Sequence, residues 1–230
     1  MNIEKIDKRK NYYLVLDTET CPIDRTLEEV TPSNMLTYDI GFCVVDKKGN
    51  VYQTGSYLIS EILFGEFYDK MQSAYYSNKI PNYFKEIAKG QRKVKSWSEI
   101  SFIIRKTIEK YNIKVVVAHN ARFDNGTLKA TKEYLNQYSM LPFGVEWWDS
   151  LKMSRSILKD MPTYKRFCQE NGFMTKNNQC QFKAETIYRY LTQDVDFIEN
   201  HTGLEDTLIE KEILAFCFKQ HKKMNKLLFA

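Results

Sequence analysis

The sequence predicts a layered α/β fold: a mixed β-sheet of about five strands flanked by helices. Three observations predict it. Short apolar runs at residues 12–17 and 113–118 each stop at polar residues, as strands buried in a sheet do. Two further runs, residues 38–46 and 51–59, are separated by Lys47-Lys48-Gly49-Asn50, a turn that joins them to the first run as a meander. Beyond these, helical and strand patterns alternate and then give way to helices, which suits a sheet of mixed direction.

The elements follow in order. After the three-strand meander, residues 97–111 read as a helix. Ser96 and Glu99 stand at capping-box spacing, and Ile100, Ile103, Ile104 and Ile108 form one apolar stripe. The buried strand at 113–118 leads into a helix over 123–138, and residues 145–148 read as the fifth strand. Helical segments are expected around 150–158, 163–170 and 184–191. A last helix spans about 204–222, with Leu208, Ile209, Ile213, Phe216 and Cys217 as its buried face. Neither a repeat nor a linker divides the chain, so residues 1–230 read as one domain whose motif-bearing core is about 12–218.

Two stretches fit the sheet less well. Residues 61–95 carry Phe64, Phe67, Tyr68, Tyr75, Tyr76, Tyr83 and Phe84, then the basic run Lys89, Arg92, Lys93 and Lys95. Such a mixture can track a phosphate backbone and stack bases. A helical elaboration with a solvated charged loop is the more favoured reading, because charge runs are common on surfaces. Residues 159–181 form a second elaboration that could close the core or meet a partner.

Composition narrows the class. Hydrophobic residues make up 43% of the 230, which is enough for a folded globule. No run approaches the roughly 20 apolar residues of a membrane span. The N-terminus is charged and its apolar run Tyr12–Leu16 is short and ends at Asp17, so no signal peptide is expected, and a cytoplasmic protein without membrane partners is. The five cysteines (Cys21, Cys43, Cys168, Cys180, Cys217) are scattered without a CxxC pair, which argues against a zinc site or disulfide framework. The net charge of +5 permits a nucleic-acid partner without demanding one.

Three clusters carry candidate chemistry. Asp17-Thr18-Glu19 ends the first strand, where alternation turns both carboxylates to one side and lets them share a cation. His119-Asn120-Ala121-Arg122-Phe123-Asp124 follows the strand at 113–118, at the carboxyl end where α/β sheets gather their sites. His201-Thr202-Gly203-Leu204-Glu205-Asp206 enters the last helix. Helical spacing alone leaves Glu205 and Asp206 as equal candidates. Each cluster taken alone has an ordinary reading as solvated or helix-start polar residues.

In order, LDTE, AHNARFD and HTGLED resemble the three exonuclease motifs of the DEDD superfamily, in the branch with histidine in the third motif (DEDDh). Relatives there include the proofreading subunit of bacterial DNA polymerase III, oligoribonuclease-type enzymes and many phage exonucleases. The abundance of Lys, Asn, Ile and Tyr fits an AT-rich genome such as a phage or low-GC bacterium carries. The resemblance covers residues 12–218 and implies a ribonuclease H-like sheet. It implies that Asp17, Glu19, Asp124 and Asp206 hold two Mg²⁺ or Mn²⁺ ions and that His201 is the general base, which selects Asp206 over Glu205. It also places Thr18, Thr20, His119, Asn120 and Phe123 beside the terminal nucleotide. The chain departs from the family at Cys21-Pro22-Ile23, where a glycine or threonine is common, and in the extra material at 159–181.

Those groups suit phosphodiester hydrolysis. Two divalent ions roughly 3.5–4 Å apart stabilise the attacking and leaving oxygens, and hard carboxylate ligands suit Mg²⁺ or Mn²⁺. An imidazole with a pKa of about 6.5 can take a proton near neutral pH. The resemblance therefore implies a 3′→5′ exonuclease acting on single-stranded DNA ends and releasing nucleoside 5′-monophosphates. An exoribonuclease on short RNA is the near alternative, since sugar preference rests on 2′ contacts that the sequence does not reveal. A non-catalytic binding or tethering module is the alternative from another class, disfavoured because all four carboxylates and the histidine are present. His119 is the rival base. Attachment to a polymerase is not legible in the sequence.

Overall fold

A computed structural model describes residues 6–23, 29–64, 69, 71, 77–199 and 201–228. Its centre is a six-stranded sheet in the order β4-β3-β2-β1-β5-β6. The strands are β1 (Tyr13–Pro22), β2 (Met35–Val45), β3 (Val51–Ile59), β4 (Lys93–Lys95), β5 (Val115–Ala118) and β6 (Glu146–Asp149). β1, β2 and β3 form the expected antiparallel meander, while β5 and β6 continue the sheet in parallel with β1. This is a mixed α/β sheet flanked by helices, with one strand more than the sequence predicts. The extra strand, β4, pairs in parallel with β3 at the sheet edge. It is three residues long with one apolar side chain between two lysines, too short to carry a period; pairing, not pattern, makes it a strand.

Eight helices surround the sheet among the described residues: α1 (Ser60–Leu63), α2 (Ile80–Ala88), α3 (Trp97–Tyr111), α4 (Ala121–Tyr134), α5 (Ser150–Leu158), α6 (Pro162–Glu170), α7 (Ala184–Thr192) and α8 (Gly203–Lys219). None is long and apolar enough to cross a membrane. The Ser96/Glu99 capping box at the start of α3 forms as its spacing predicts, and α3 ends at Asn112 in the left-handed conformation. α4 starts two residues earlier and ends four earlier than its periodicity suggests. α8 stops at Lys219, before His221 turns to φ +51°.

Alternation along the strands divides the interior in two. Leu14 and Leu16 of β1, with Tyr38, Ile40, Phe42 and Val44 of β2, face one side and pack against Trp97, Ile100, Ile104 and Ile108 of α3 and Leu128 of α4. Tyr13 and Val15, with Cys43 and Val45, face the other and pack against α5, α6, α7 and α8 through residues such as Met153, Phe167, Ile187, Ile209 and Ile213. The period of two thus assigns Asp17 and Glu19 to the α8 side and Thr18 to the α4 side. Cysteines 21, 43, 168 and 217 are buried and Cys180 is partly so, with no disulfide among them.

α8 comes close to the sheet at one point. A Cβ on Gly41 of β2 would lie 1.9 Å from the Gly203 carbonyl carbon, so the two backbones touch. Among its described residues the stretch at 61–95 holds most of α1, then α2, a turn and β4, and its basic run is not a solvated loop throughout. Arg92 is 5% exposed, donates to Asp39 at 2.6 Å and to Glu86 at 2.7 Å, and lies over the Tyr83 ring. A guanidinium so engaged does not track a phosphate backbone. Phe67, Tyr68, Tyr75 and Tyr76 of the same stretch lie outside the described residues. The 159–181 stretch contributes α6, and Tyr164, Phe167 and Cys168 fill the second core.

Candidate active site

The three motifs meet where β1 passes the amino-terminal ends of α4 and α8. β1 continues past Asp17 and Glu19 to Pro22, because β2 pairs with it as far as Met35; a bulge between Glu19 and Thr20 shifts the register. Glu19 is 6% exposed, Asp124 4% and Asp206 6%, while Asp17 is half-buried. Glu205, the neighbour that helical spacing could not exclude, is exposed and accepts from the Thr202 hydroxyl at the helix start. Burial thus separates the two, with Asp206 inside and Glu205 outside.

Crowding of carboxylates dominates the electrostatics. Burial pushes Asp17 well above the ordinary carboxylate range, and the charges of Glu210, Asp124, Asp206 and Glu19 add to it. Burial also raises Glu19, helped by Asp206 and Asp39. Asp124 is pushed up to about 7 by burial, against a hydrogen bond from Thr18 that lowers it, and Asp206 to about 8 by burial and then Glu199. Such a cluster favours a cation. Ligand atoms of Glu19, His201 and Asp206 lie within 4.8 Å of one another. Asp206 Oδ1 is buried and has no hydrogen-bond partner among the described residues, as a carboxylate oxygen prepared for a metal would be. All the donors are hard oxygens or imidazole, and they fit Mg²⁺ or Mn²⁺.

His201 sits just before α8 with φ +53°, its side chain one-third exposed. Its Nδ1 lies 3.5 Å from Glu199 Oε2. Burial and the nearby Lys79 lower its pKa, which keeps the ring neutral at pH 7. His119 is placed differently. Its Nδ1 lies 3.0 Å from the Ser150 hydroxyl and its Nε2 2.8 Å from the Phe182 carbonyl. Both ring nitrogens are engaged, so the rival base has no nitrogen left for a water or a nucleotide.

The other residues expected beside a nucleotide divide into two groups. Thr18 donates to Asp124 Oδ1 at 2.9 Å and, like Thr20, is buried, so these side chains turn inward. Asn120, in the left-handed conformation at φ +73°, and Phe123 line a groove of about 600 Å³ together with Pro32, Arg122 and Lys129.

Two residues that motif reading misses belong to the site. Asp39, opposite Glu19 across β1 and β2, accepts from Arg92 and from the Gly203 amide at 3.2 Å, and so ties the start of α8 to the sheet. Glu210, one turn beyond Asp206, is 3% exposed and accepts from the His119 amide at 3.1 Å. One signal for it is visible in the sequence: a carboxylate between Ile209 and Ile213, on the face of α8 that should be apolar.

No family model matches the sequence, and no curated protein matches it. Solved structures do resemble it. The nuclease domain of 3'hExo, a DEDDh family member bound to rAMP, is 11% identical with a TM-score of 0.60, over 96% of this chain and 98% of that one. A full-length 3′-exonuclease is 10% identical with a TM-score of 0.60, over 97% of this chain. E. coli exonuclease I in complex with a dT13 oligonucleotide is 11% identical with a TM-score of 0.52, over 92% of this chain. The chain spans 65% and 41% of the length of these last two. At such identities the likeness establishes the fold: this chain has the ribonuclease H-like α/β fold of the DEDDh 3′-exonucleases.

Proposed function

We propose that this chain is a divalent-metal-dependent 3′→5′ exonuclease that removes nucleoside 5′-monophosphates from the 3′ end of single-stranded DNA. The observation that carries the reading is the convergence of Asp17, Glu19, Asp124, Asp206 and His201. They come from three distant segments and meet in one buried acidic cluster that includes an unpartnered carboxylate oxygen. A buried cluster of this kind is costly unless cations occupy it.

In this reading Asp17, Glu19, Asp124 and Asp206 hold Mg²⁺ or Mn²⁺. When bound, the ions neutralise the cluster and stabilise negative charge on the attacking and leaving oxygens. His201 takes a proton from the attacking water as its oxygen bonds to the terminal phosphorus. The bond from phosphorus to the O3′ of the preceding nucleotide breaks, and that oxygen gains a proton from solvent. The lowered pKa of His201 keeps it in the proton-accepting form at neutral pH. Asp39 and Arg92 hold the start of α8 so that His201 and Asp206 share one frame. Asn120, Phe123 and Arg122, along the open groove, supply stacking and phosphate contacts that tolerate any base. Thr18 acts from behind, orienting Asp124.

RNA is the second substrate to weigh, because one structural neighbour is bound to rAMP and another to an oligodeoxynucleotide. A time course on end-labelled single-stranded DNA and RNA of one sequence, with Mg²⁺, Mn²⁺ or chelator, tests both. Shortening from the 3′ end that needs metal and is lost in Asp17→Ala is the expected result, faster on DNA. Faster loss of RNA would reassign the substrate. Intact strands that still bind under chelation would replace catalysis with a binding or tethering role.

A further inference from the structure

We propose that Glu199 is a positioning residue for His201: its carboxylate accepts a hydrogen bond from the imidazole Nδ1–H and so leaves the lone pair on Nε2, the nitrogen that takes the proton from water. The inference rests on the reading of His201 as the base and adds the residue that orients it.

Residues 197–199 are held on α7 through main-chain atoms. The Phe197 carbonyl accepts from Arg189 Nε at 2.7 Å, and the Glu199 amide donates to Glu185 Oε1 at 3.2 Å. Arg189 in turn donates to Glu185 at 3.0 Å, one turn away on α7, and the Phe197 ring packs on Tyr188 with 4.6 Å between centroids. Because the backbone carries this anchorage, the Glu199 carboxylate is not needed for it. That carboxylate lies beside the imidazole instead, with Oε2 3.5 Å from Nδ1 and the side chain 12% exposed.

A neutral imidazole carries its proton on one nitrogen only, and the hydrogen bond that nitrogen makes decides which. Glu199 offers an acceptor oxygen whether its carboxyl is ionised or protonated. The separation of 3.5 Å exceeds that of a formed bond, as contacts of catalytic groups often do before substrate is bound. Movement of about 0.5 Å would bring it to the usual range of about 2.9–3.0 Å. His201 itself holds φ +53°, a left-handed backbone uncommon for a residue with a Cβ, which persists where neighbours fix it and clusters at functional sites. An imidazole nitrogen also lies within 4.8 Å of ligand oxygens of Glu19 and Asp206, so the ring that Glu199 approaches belongs to the carboxylate cluster.

Nitrogen NMR shifts of the imidazoles, in the full chain with chelator at about pH 8 where the ring is neutral, read the tautomer without reference to nuclease activity. The chain has three histidines, so His201→Ala assigns the signal. Wild type, Glu199→Gln and Glu199→Leu are compared, each with a melting curve and with kcat and KM on single-stranded DNA. Wild type should hold the Nδ1–H tautomer. Glu199→Gln keeps an acceptor oxygen and should keep both the tautomer and most of kcat. Glu199→Leu, of similar size without an acceptor, should mix the tautomers and lower kcat by about 10-fold or more, within the roughly 10²–10⁴ that the base supplies, with KM little changed. An Nε2–H tautomer in wild type, or one tautomer shared by all three chains, would overturn the proposal. Should Glu199→Leu not fold, the wild-type tautomer decides alone. If the wild-type chain degrades neither DNA nor RNA, the nuclease reading fails, while the tautomer still decides the pairing.

Discussion

A histidine's role is set by what its ring nitrogens are left to do. His119 has both engaged, by Ser150 and by the Phe182 carbonyl, so it fastens the motif-bearing turn to the segment leading into α7. His201 stands half-buried before α8, beside the carboxylates and with Glu199 at 3.5 Å. The two residues should therefore fail differently. His201→Ala is expected to lower kcat by about 10²–10⁴ with little change in melting temperature, the usual contribution of a positioned base. His119→Ala should remove about 1–3 kcal/mol of stability through two lost hydrogen bonds, and leave the pH profile of the surviving activity unchanged. Steady-state rates across pH, paired with melting curves, separate them; a rate loss confined to His119→Ala would exchange the two roles.

At the scale of elements, the site depends on where α8 begins. Two features hold that point. Asp39 accepts the Gly203 amide while Arg92 neutralises it, both almost wholly inside the protein. Arg92→Ala leaves a buried carboxylate uncompensated and should cost about 3–5 kcal/mol, read as a large fall in urea midpoint. Gly41 permits the second feature, the backbone contact between β2 and α8. Gly41→Ala would place a methyl group 1.9 Å from the Gly203 carbonyl carbon. The helix must move off the sheet, at a cost of about 1–3 kcal/mol or more. Because Asp206 moves with α8, Mn²⁺ affinity should fall with stability. Mn²⁺ binding as tight as in wild type would show that the helix start is not what positions the carboxylate.

Across the whole molecule, the acidic cluster links stability to pH and to cations. Asp124 and Glu199 are raised to about 7 and Asp206 to about 8, against ordinary values near 4. Between roughly pH 4 and 8 the folded chain thus binds more protons than the unfolded one, and stability falls as pH rises through that window. Without metal, the melting temperature should be higher at pH 5.5 than at pH 8. Saturating Mg²⁺ or Mn²⁺ should narrow the gap by binding the deprotonated folded form. Equal melting temperatures at both pH values in chelator would contradict the crowded-carboxylate description. The elaborations are part of this whole. Residues 61–95 supply Arg92 to the start of α8, and residues 159–181 supply core side chains.

The sequence by itself determined what local pattern can carry. Alternation and turn residues specified the meander of β1, β2 and β3, a capping box and an isoleucine stripe specified α3, and the resemblance of three motifs nominated Asp17, Glu19, Asp124, Asp206 and His201 as site residues. Tertiary structure decided what depends on partners distant in the chain. The Gly203 amide and Asp39 are 164 residues apart, and the His119 amide and Glu210 are 91 apart; no window of local sequence contains either pair. The same holds for Arg92, which reads as one of a basic run until Asp39 is beside it, and for β4, a strand only because β3 is its neighbour. Asp206 and Glu205 share a helix turn, and the packing of α8 on β1 and β2 buries one and exposes the other. Periodicity records which face of an element is buried, but the identity of the atoms that meet there is settled only when the faces pack.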